Sequence, residues 1–555
     1  MSREHPQLPR QRQPAKLPSE TSTNSFWHTE PSPLLTAHRS TRNLPQTADV
    51  VVIGSGMTGA SVAHHLLTTN HGTPGAQKSG GLNVVMLEAR EACWGATGRN
   101  GGHCQPLLFE SPHDPSIGHF ELANFHTLQH LIKEKEIDCE FVAQPGVRAI
   151  YSQHHLDEAV TALGIMTHTA PELAQMMKLV TDKDELSKYR IPTATGAVVT
   201  EVAARMWPYK FVSRILEDLL TATDLPGGTF NLQTLTPVTA LTPCDARQGT
   251  WEIHTPRGTL TAQKVILATN AYTSHLLPTF ADLIVPCRGQ MSALEPLNSL
   301  QRRNRLQTSL GFLGDGLDDY LIQRPNETGG HLMFGGGRQH GPSIGVTDDS
   351  VLDEKTARYL RTRLVEALGL AEGRQGWGCG YCRVRKIRCS NTTPDSYQQG
   401  QPCTNCHRFA QSCEVRANIA PVEFKAANEW SGIMGFSRDE RPLVGPVPDH
   451  PGVYMSAGYT GHGMPNTWLC GKAVALMAAR SFGGEQSAED VVVEMASQET
   501  GLPKAYRLTT ERVQKALEAE DVEVQDWAEM KRGAVAGRGN GESGVKQDRP
   551  HSGFA

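Results

Sequence analysis

The stretch Asp49-Val50-Val51-Val52-Ile53-Gly54-Ser55-Gly56-Met57-Thr58-Gly59 sets a strand, a turn and a helix start within eleven residues. Four consecutive β-branched residues read as a parallel strand buried on both faces. The G-x-G-x-x-G that follows opens a helix. Its first glycine makes the tight turn, its second lets a pyrophosphate approach the backbone, and its third lets the helix pack closely on the strand. The helix N-terminus then faces phosphate charge. Gly59, Ala60, Ala63 and Leu67 give that helix a face small enough to lie on a sheet. The glycine pattern alone is weak evidence. Between a β-branched run and a helix it predicts a dinucleotide site at Gly54, Gly56 and Gly59.

The next apolar run, Val84-Val85-Met86-Leu87, ends in Glu88. A carboxylate at that strand end accepts hydrogen bonds from both ribose hydroxyls and repels a 2′-phosphate. Glu88 lies 29 residues beyond Gly59, against roughly 20 in the usual pattern. The surplus falls in the Gly-rich polar segment 69–81, which a surface loop can absorb.

A chain of 555 residues holds more than one domain. Its net charge of −5, from 53 Lys and Arg against 58 Asp and Glu, excludes a molecule that is basic throughout. The N-terminus has no apolar signal segment, and no run of 18 apolar residues occurs. Together with the scattered Cys93, Cys104, Cys139, Cys244, Cys287 and Cys470, this predicts a reduced, cytoplasmic protein with no membrane partner. Residues 1–25 and 530–555 are polar and are expected to be disordered. Between them apolar strands alternate with amphipathic helices, the pattern of an α/β fold.

One segment breaks that pattern. Residues 371–423 carry Cys379, Cys382, Cys389, Cys403, Cys406 and Cys413, two C-x2-C half-sites each with an x6 arm. Thiolates bind zinc tetrahedrally, and six can satisfy two ions only by sharing two ligands. Arg383, Arg385, Lys386 and Arg388 stand between the second and third cysteines. The run resembles the fungal Zn2Cys6 binuclear cluster of transcription factors. The resemblance implies two zinc ions bridged by Cys379 and Cys403, and DNA contact through the four basic residues. Three readings stay open: a DNA-binding module, which would place the protein in the nucleus; a zinc-dependent structural module; and an exon foreign to this polypeptide. No heptad run follows, and the surrounding pattern resumes at Lys425.

The segment Cys93-Trp94-Gly95-Ala96-Thr97-Gly98-Arg99-Asn100-Gly101-Gly102-His103 resembles the G-A-S-G-R-N-G-G stretch of FAD-dependent amine and amino-acid oxidoreductases. These form the D-amino-acid oxidase superfamily, with its glycine, sarcosine and γ-glutamylputrescine oxidases. Further blocks agree in order. They are Trp207-Pro208-Tyr209-Lys210, Val265 to Asn270, Pro442 to Gly445, and Gly452 to Pro465.

The resemblance implies bound FAD. Thr97, Gly98, Arg99, Asn100 and Gly101 would run from pyrophosphate to flavin ring, and a strand around Val238 would meet the adenine. Gly458, Gly461, His462, Gly463 and Met464 would form a second flavin motif, with a helix starting near Met464. The implied organisation is a Rossmann-like FAD domain (26–110, 201–275 and 424–500), a mixed-sheet substrate domain (111–200 and 276–370) and the nested two-zinc cluster (371–423).

By the same resemblance Tyr320 faces substrate above the flavin; alternatively it only packs across strands. Arg338 either anchors an anionic substrate group or pairs with a carboxylate at the surface. His462 is either a general base or a structural residue at a helix start. Two departures matter. Met434 stands where amino-acid oxidases place a carboxylate-binding Arg. Met333 matches the strand position of a Lys that promotes reaction with oxygen. The expected activity is oxidation of the C–N bond of an amine or amino acid, by hydride transfer to the flavin and on to oxygen or another acceptor. The alternative is a zinc-dependent DNA-binding regulator fused to a flavin fold.

Overall fold

The computed structural model describes residues 12–69, 81–244, 249–370, 422–482 and 489–518. The cysteine run, its four basic residues and the C-terminal stretch 530–555 lie outside the described residues.

Two sheets organise the chain. In the first, the strands run in the order Leu443–Pro446, Val453–Ala457, Gly258–Leu267, Thr47–Ile53, Leu82–Leu87 and Gly228–Gln233. Thr47–Ile53 sits at its centre, parallel to both neighbours, with Val52 opposite Met86 and Ile266. Val50, Val51 and Val52 are wholly buried, as a strand covered on both faces must be. Alternate residues go to opposite layers. Val50, Val52, Val84 and Met86 join one core with the helices Met57–Thr68 and Thr467–Arg480. Val51, Ile53, Val85 and Leu87 join another.

The second sheet has nine strands and is mixed. Ala426–Ser437 pairs with Ile284–Leu294, which pairs with Leu332–Gly336, which pairs with Leu317–Gln323, all antiparallel. Ser309–Gly314 continues the sheet and runs parallel to Val142–Ile150.

The structure corrects three expectations. Ala426–Ser437, assigned from sequence to the nucleotide domain, belongs to the second sheet through an eleven-residue ladder with Ile284–Leu294. The strand expected around Val238 is Gly228–Gln233; Val238 sits in the connection after it, buried at the cleft. Residues 12–25 are not a free arm. Ala15 is buried, and its N–H donates to Ser274 Oγ at 2.9 Å, while the Thr23 N–H donates to the Asp349 carbonyl at 2.8 Å. Polar composition suggested disorder, but here the polar groups find partners on both sheets' connections.

Leu370 and Phe424, which flank the cysteine segment, both enter one core beneath the second sheet. The Phe424 N–H donates to the Arg361 carbonyl at 2.8 Å. The chain therefore leaves and rejoins the same packed layer.

Candidate functional site

A long cleft opens where the C-terminal ends of the parallel strands meet one face of the second sheet. Ile53, Leu87 and Ala268 line it from the first sheet; Gly289, Met291, Tyr320 and Met434 line it from the second. Ligands of open parallel sheets bind outside these strand ends.

The cleft's floor is backbone. Gly54 has φ +105°, and a Cβ there would stand 2.7 Å from the Ala268 carbonyl oxygen. A Cβ on Gly59 would stand 1.9 Å from the Gly54 oxygen. Gly59 therefore does not line the cleft; it lets the helix close on the turn. Gly56 caps that helix and faces Thr97 Oγ1, which accepts from the Met57 N–H at 3.1 Å. Glu88 is buried at the cleft. One of its oxygens accepts from the Ser55 N–H and hydroxyl at 3.0 and 2.7 Å, the other from the Arg90 N–H at 3.0 Å.

The G-R-N-G segment divides by role. Thr97, Arg99 and Asn100 line the cleft. Gly98 faces away, where a Cβ would meet the Cys93 carbonyl and His28. Gly101 lies under Tyr320, whose ring leaves no room for a side chain. Arg99 is buried and donates to the carbonyls of Trp94, Ser431 and Thr23. Burial lowers its pKa to about 10, while Asp349, 3.4 Å away, works the other way.

Of the second motif, Gly461, Gly463 and Met464 line the cleft. Gly458 does not; its N–H is held by Asn270 Oδ1 at 3.0 Å. The helix begins at Thr467, three residues later than expected, because Gly463 to Asn466 first make a turn. His462 lies beside a small side chamber bounded by His103, Gln105 and Tyr320. Its Nε2 is 3.0 Å from Glu121 Oε1. Burial alone would lower the His462 pKa, yet the Glu121 carboxylate raises it overall. Burial takes His103 down to about 4.

On the second sheet, Tyr320 donates to Met291 Sδ at 3.0 Å, and burial raises its phenol well above the ordinary range. Arg338 is not at the surface. It is buried against Phe436, 4.7 Å from the ring centroid, and its Nε donates to Asp318 Oδ2 at 2.7 Å. Met333 is buried in the core and is absent from the cleft; Met291, on the neighbouring strand, takes a place there. Sequence reading missed Met291, Asp318 and Glu121. Glu121 was detectable, because it shares the buried helical face of Ile117, Phe120, Asn124 and Phe125.

The donors fit FAD. The glycine turn meets a 12-residue helix, and Thr467 Oγ1, Tyr272 Oη and His275 Nε2 line the cleft as buried polar atoms without a partner among the described residues. No group of His, Cys, Asp or Glu able to hold a metal occurs among the described residues, and no described helix is long and apolar enough to cross a membrane.

Comparison with known proteins agrees with this geometry. A family model described as FAD dependent oxidoreductase matches residues 49–477. Gamma-glutamylputrescine oxidoreductase of Escherichia coli is 26% identical over 322 residues, covering 54% of this chain and 67% of that protein. A probable oxidoreductase, OrdL, of Rhizobium meliloti is 24% identical over 452 residues, covering 78% and 83%. Glycine oxidase from Geobacillus kaustophilus superimposes with a TM-score of 0.52 at 16% identity, covering 77% of this chain and 93% of that one. L-proline dehydrogenase from P. horikoshii superimposes at 0.53 and 17%, covering 84% and 100%.

Proposed function

Since the chain belongs to the FAD dependent oxidoreductase family and is an enzyme of that kind, we propose that its substrate is an amine rather than a simple α-amino acid. One observation carries this reading. Each arginine lining the cleft already faces a buried carboxylate: Arg90 and Arg99 share Asp349, and Arg338 holds Asp318. Met434 adds only a thioether to the wall. A substrate carboxylate would have to compete with these pairs for its counter-charge. One relative is named a gamma-glutamylputrescine oxidoreductase.

When bound, the flavin supplies the acceptor for a hydride from the carbon next to nitrogen. The chain's part is to position that carbon and exclude water. Tyr320, Met291 and Met434 form the apolar wall that does so. Thr467 Oγ1, at the start of its helix, would meet the flavin where negative charge gathers on reduction. Gly54 and Gly56 would admit the pyrophosphate, Glu88 would take the ribose, and Val238 would pack beside the adenine. His462 faces Glu121 beside the side chamber, and that carboxylate raises its pKa. Arg338 acts as the neutralised end of the wall. The product imine then hydrolyses, and oxygen or another acceptor takes the electrons.

A finer reading rests on the resemblance of the cysteine run to the fungal Zn2Cys6 cluster: the six cysteines of 379–413 would bind two zinc ions, and Arg383, Arg385, Lys386 and Arg388 would meet DNA. Zinc near zero in protein made from the verified transcript would overturn it.

Anaerobic bleaching of the flavin by a panel of amines and amino acids tests the substrate. Amines are expected to bleach it. Rapid bleaching by glycine, with amines inert, would overturn the proposal.

A further inference from the structure

Leu17 and Pro18 alone, among the described residues lining the cleft, fall before the stretch 49–477 that the family model matches. They sit in the middle of a strap held by polar contacts at both ends, with the Arg12 N–H also donating to Asp282 Oδ1 at 3.0 Å and Ser19 Oγ to Asp348 Oδ1 at 3.2 Å. At one end Ala15 is fixed to the short helix Thr273–Leu276: its N–H donates to Ser274 Oγ at 2.9 Å, and its carbonyl accepts from His275 Nδ1 at 3.2 Å. At the other end Thr23 is fixed to the opposite wall. Its Oγ1 accepts from the Ser431 N–H at 2.9 Å, its carbonyl accepts from Arg99 Nη2 at 2.7 Å, and its N–H donates to the Asp349 carbonyl. Ser274 belongs with the first sheet's connections and Ser431 to the second sheet, so residues 15–23 cross the cleft from one wall to the other.

Two further facts connect the strap with a ligand. Ala15 is the only buried residue between 12 and 24, so an apolar core does not hold the segment. Beneath it, Tyr272 Oη and His275 Nε2 are buried polar atoms without a partner among the described residues, and both residues line the cleft. The Ala15 carbonyl fixes the His275 ring so that Nε2 is the atom left over. Buried polar atoms without partners are rare unless a ligand or water completes them.

The geometry points to residues 12–25 as a part of the cofactor site: a latch that crosses the cleft, retains FAD and orients His275 toward it. This rests on the FAD reading above. Polar anchors without a core open locally at low cost, so the latch governs how fast FAD enters and leaves. It does not build the cradle.

The test uses the full chain, a variant lacking residues 2–20, and Thr23→Val, with FAD binding and release followed by flavin fluorescence. The shortened chain is expected to release FAD at least about tenfold faster, the equivalent of one or two hydrogen bonds, and to take it up no more slowly. Thr23→Val loosens only the second anchor and is expected to release FAD about threefold faster. Equal release from all three forms would overturn the latch alone. So would faster release with slower uptake, because that marks a damaged cradle. An intact chain that takes up no FAD would overturn both the latch and the FAD reading.

Discussion

The two walls of the cleft are built on different principles. The first sheet's wall is backbone: a glycine turn, a helix end and strand termini, all within residues 49–59 and a few strand ends. The second sheet's wall is side chains from strands far apart in sequence. Met291 stands opposite Trp430 on one side and Gly335 on the other, and Gly335 stands opposite Tyr320. A backbone wall recognises what all dinucleotides share. A side-chain wall can be rewritten residue by residue; here it carries Met434 and the Arg338–Asp318 pair.

The comparison breaks most readily at the glycines. Gly59→Val would drive a side chain into the Gly54 carbonyl, 1.9 Å from where its Cβ must lie. Complete loss of the flavin absorbance bands is expected, with overpacking of about 1–3 kcal/mol or more in stability. Gly56→Val faces Thr97 Oγ1 at 3.1 Å, so it should remove flavin while leaving the fold intact. Flavin retained by both variants, read from visible spectra after gel filtration, would mean the backbone wall is not the cradle.

This contrast also explains what sequence reading could reach. The Gly54 turn, Glu88 and the order of the flavin blocks were legible because their chemistry depends on local backbone and short spacing. The strand Ala426–Ser437 was misplaced because a run of mixed residues does not state its partner; only pairing with Ile284–Leu294 does. Arg338 was read as either a substrate anchor or a surface partner of a carboxylate; its carboxylate partner is buried, and this was not legible because Asp318 lies 20 residues away across a turn and a strand. Met333 was matched to the cleft, whereas Met291 takes the place there; the two share one face of the sheet, and their distance from the cleft along the strands is set by strand pairing that sequence does not state. The strap was hidden by composition: polar residues predict disorder unless their partners are visible.

On the side-chain wall the largest effect is expected at the buried pair. Asp318→Asn leaves the Arg338 charge in a buried site with its counter-charge gone. Breaking such a pair costs about 3–5 kcal/mol. Thermal unfolding should show it, and an unchanged melting temperature would mean Arg338 finds another anion. A smaller effect is expected at Gly289, where a Cβ would come within 2.8 Å of Met434 Cε. Gly289→Ala should push Met434 into the substrate space and lower kcat/KM about tenfold, near 1.4 kcal/mol, without loss of flavin. Loss of flavin in that variant would erase the distinction between the walls.

The smallest effect is a pH dependence at the side chamber. His462 belongs to the flavin motif, and Glu121 comes from the helix Ser116–Glu134, whose Ile117, Phe120 and Phe125 join the core shared with the first sheet. Glu110 also raises the His462 pKa, while Arg148 works against it. The net pKa lies above the ordinary 6.5. A histidine whose folded pKa is raised stabilises the fold fully below pH 6.5, and that contribution is lost as pH rises through the folded value. In Glu121→Gln, burial acts without the carboxylate, so the His462 pKa should fall and the sign should reverse. The Leu107 N–H, which donates to Glu121 Oε2 at 2.7 Å, can still donate to the Gln carbonyl, but Asn466 Nδ2, which donates to Glu121 Oε1 at 3.1 Å, loses its acceptor, so the variant also carries a pH-independent loss. The stability gap between wild type and variant should be widest at low pH, with a pH-dependent part of about 1–2 kcal/mol for a charge-assisted contact, and narrow to that constant loss toward high pH. Melting temperatures across pH 5.5 to 8.5 read it directly, and parallel curves would show that Glu121 does not set the charge of His462.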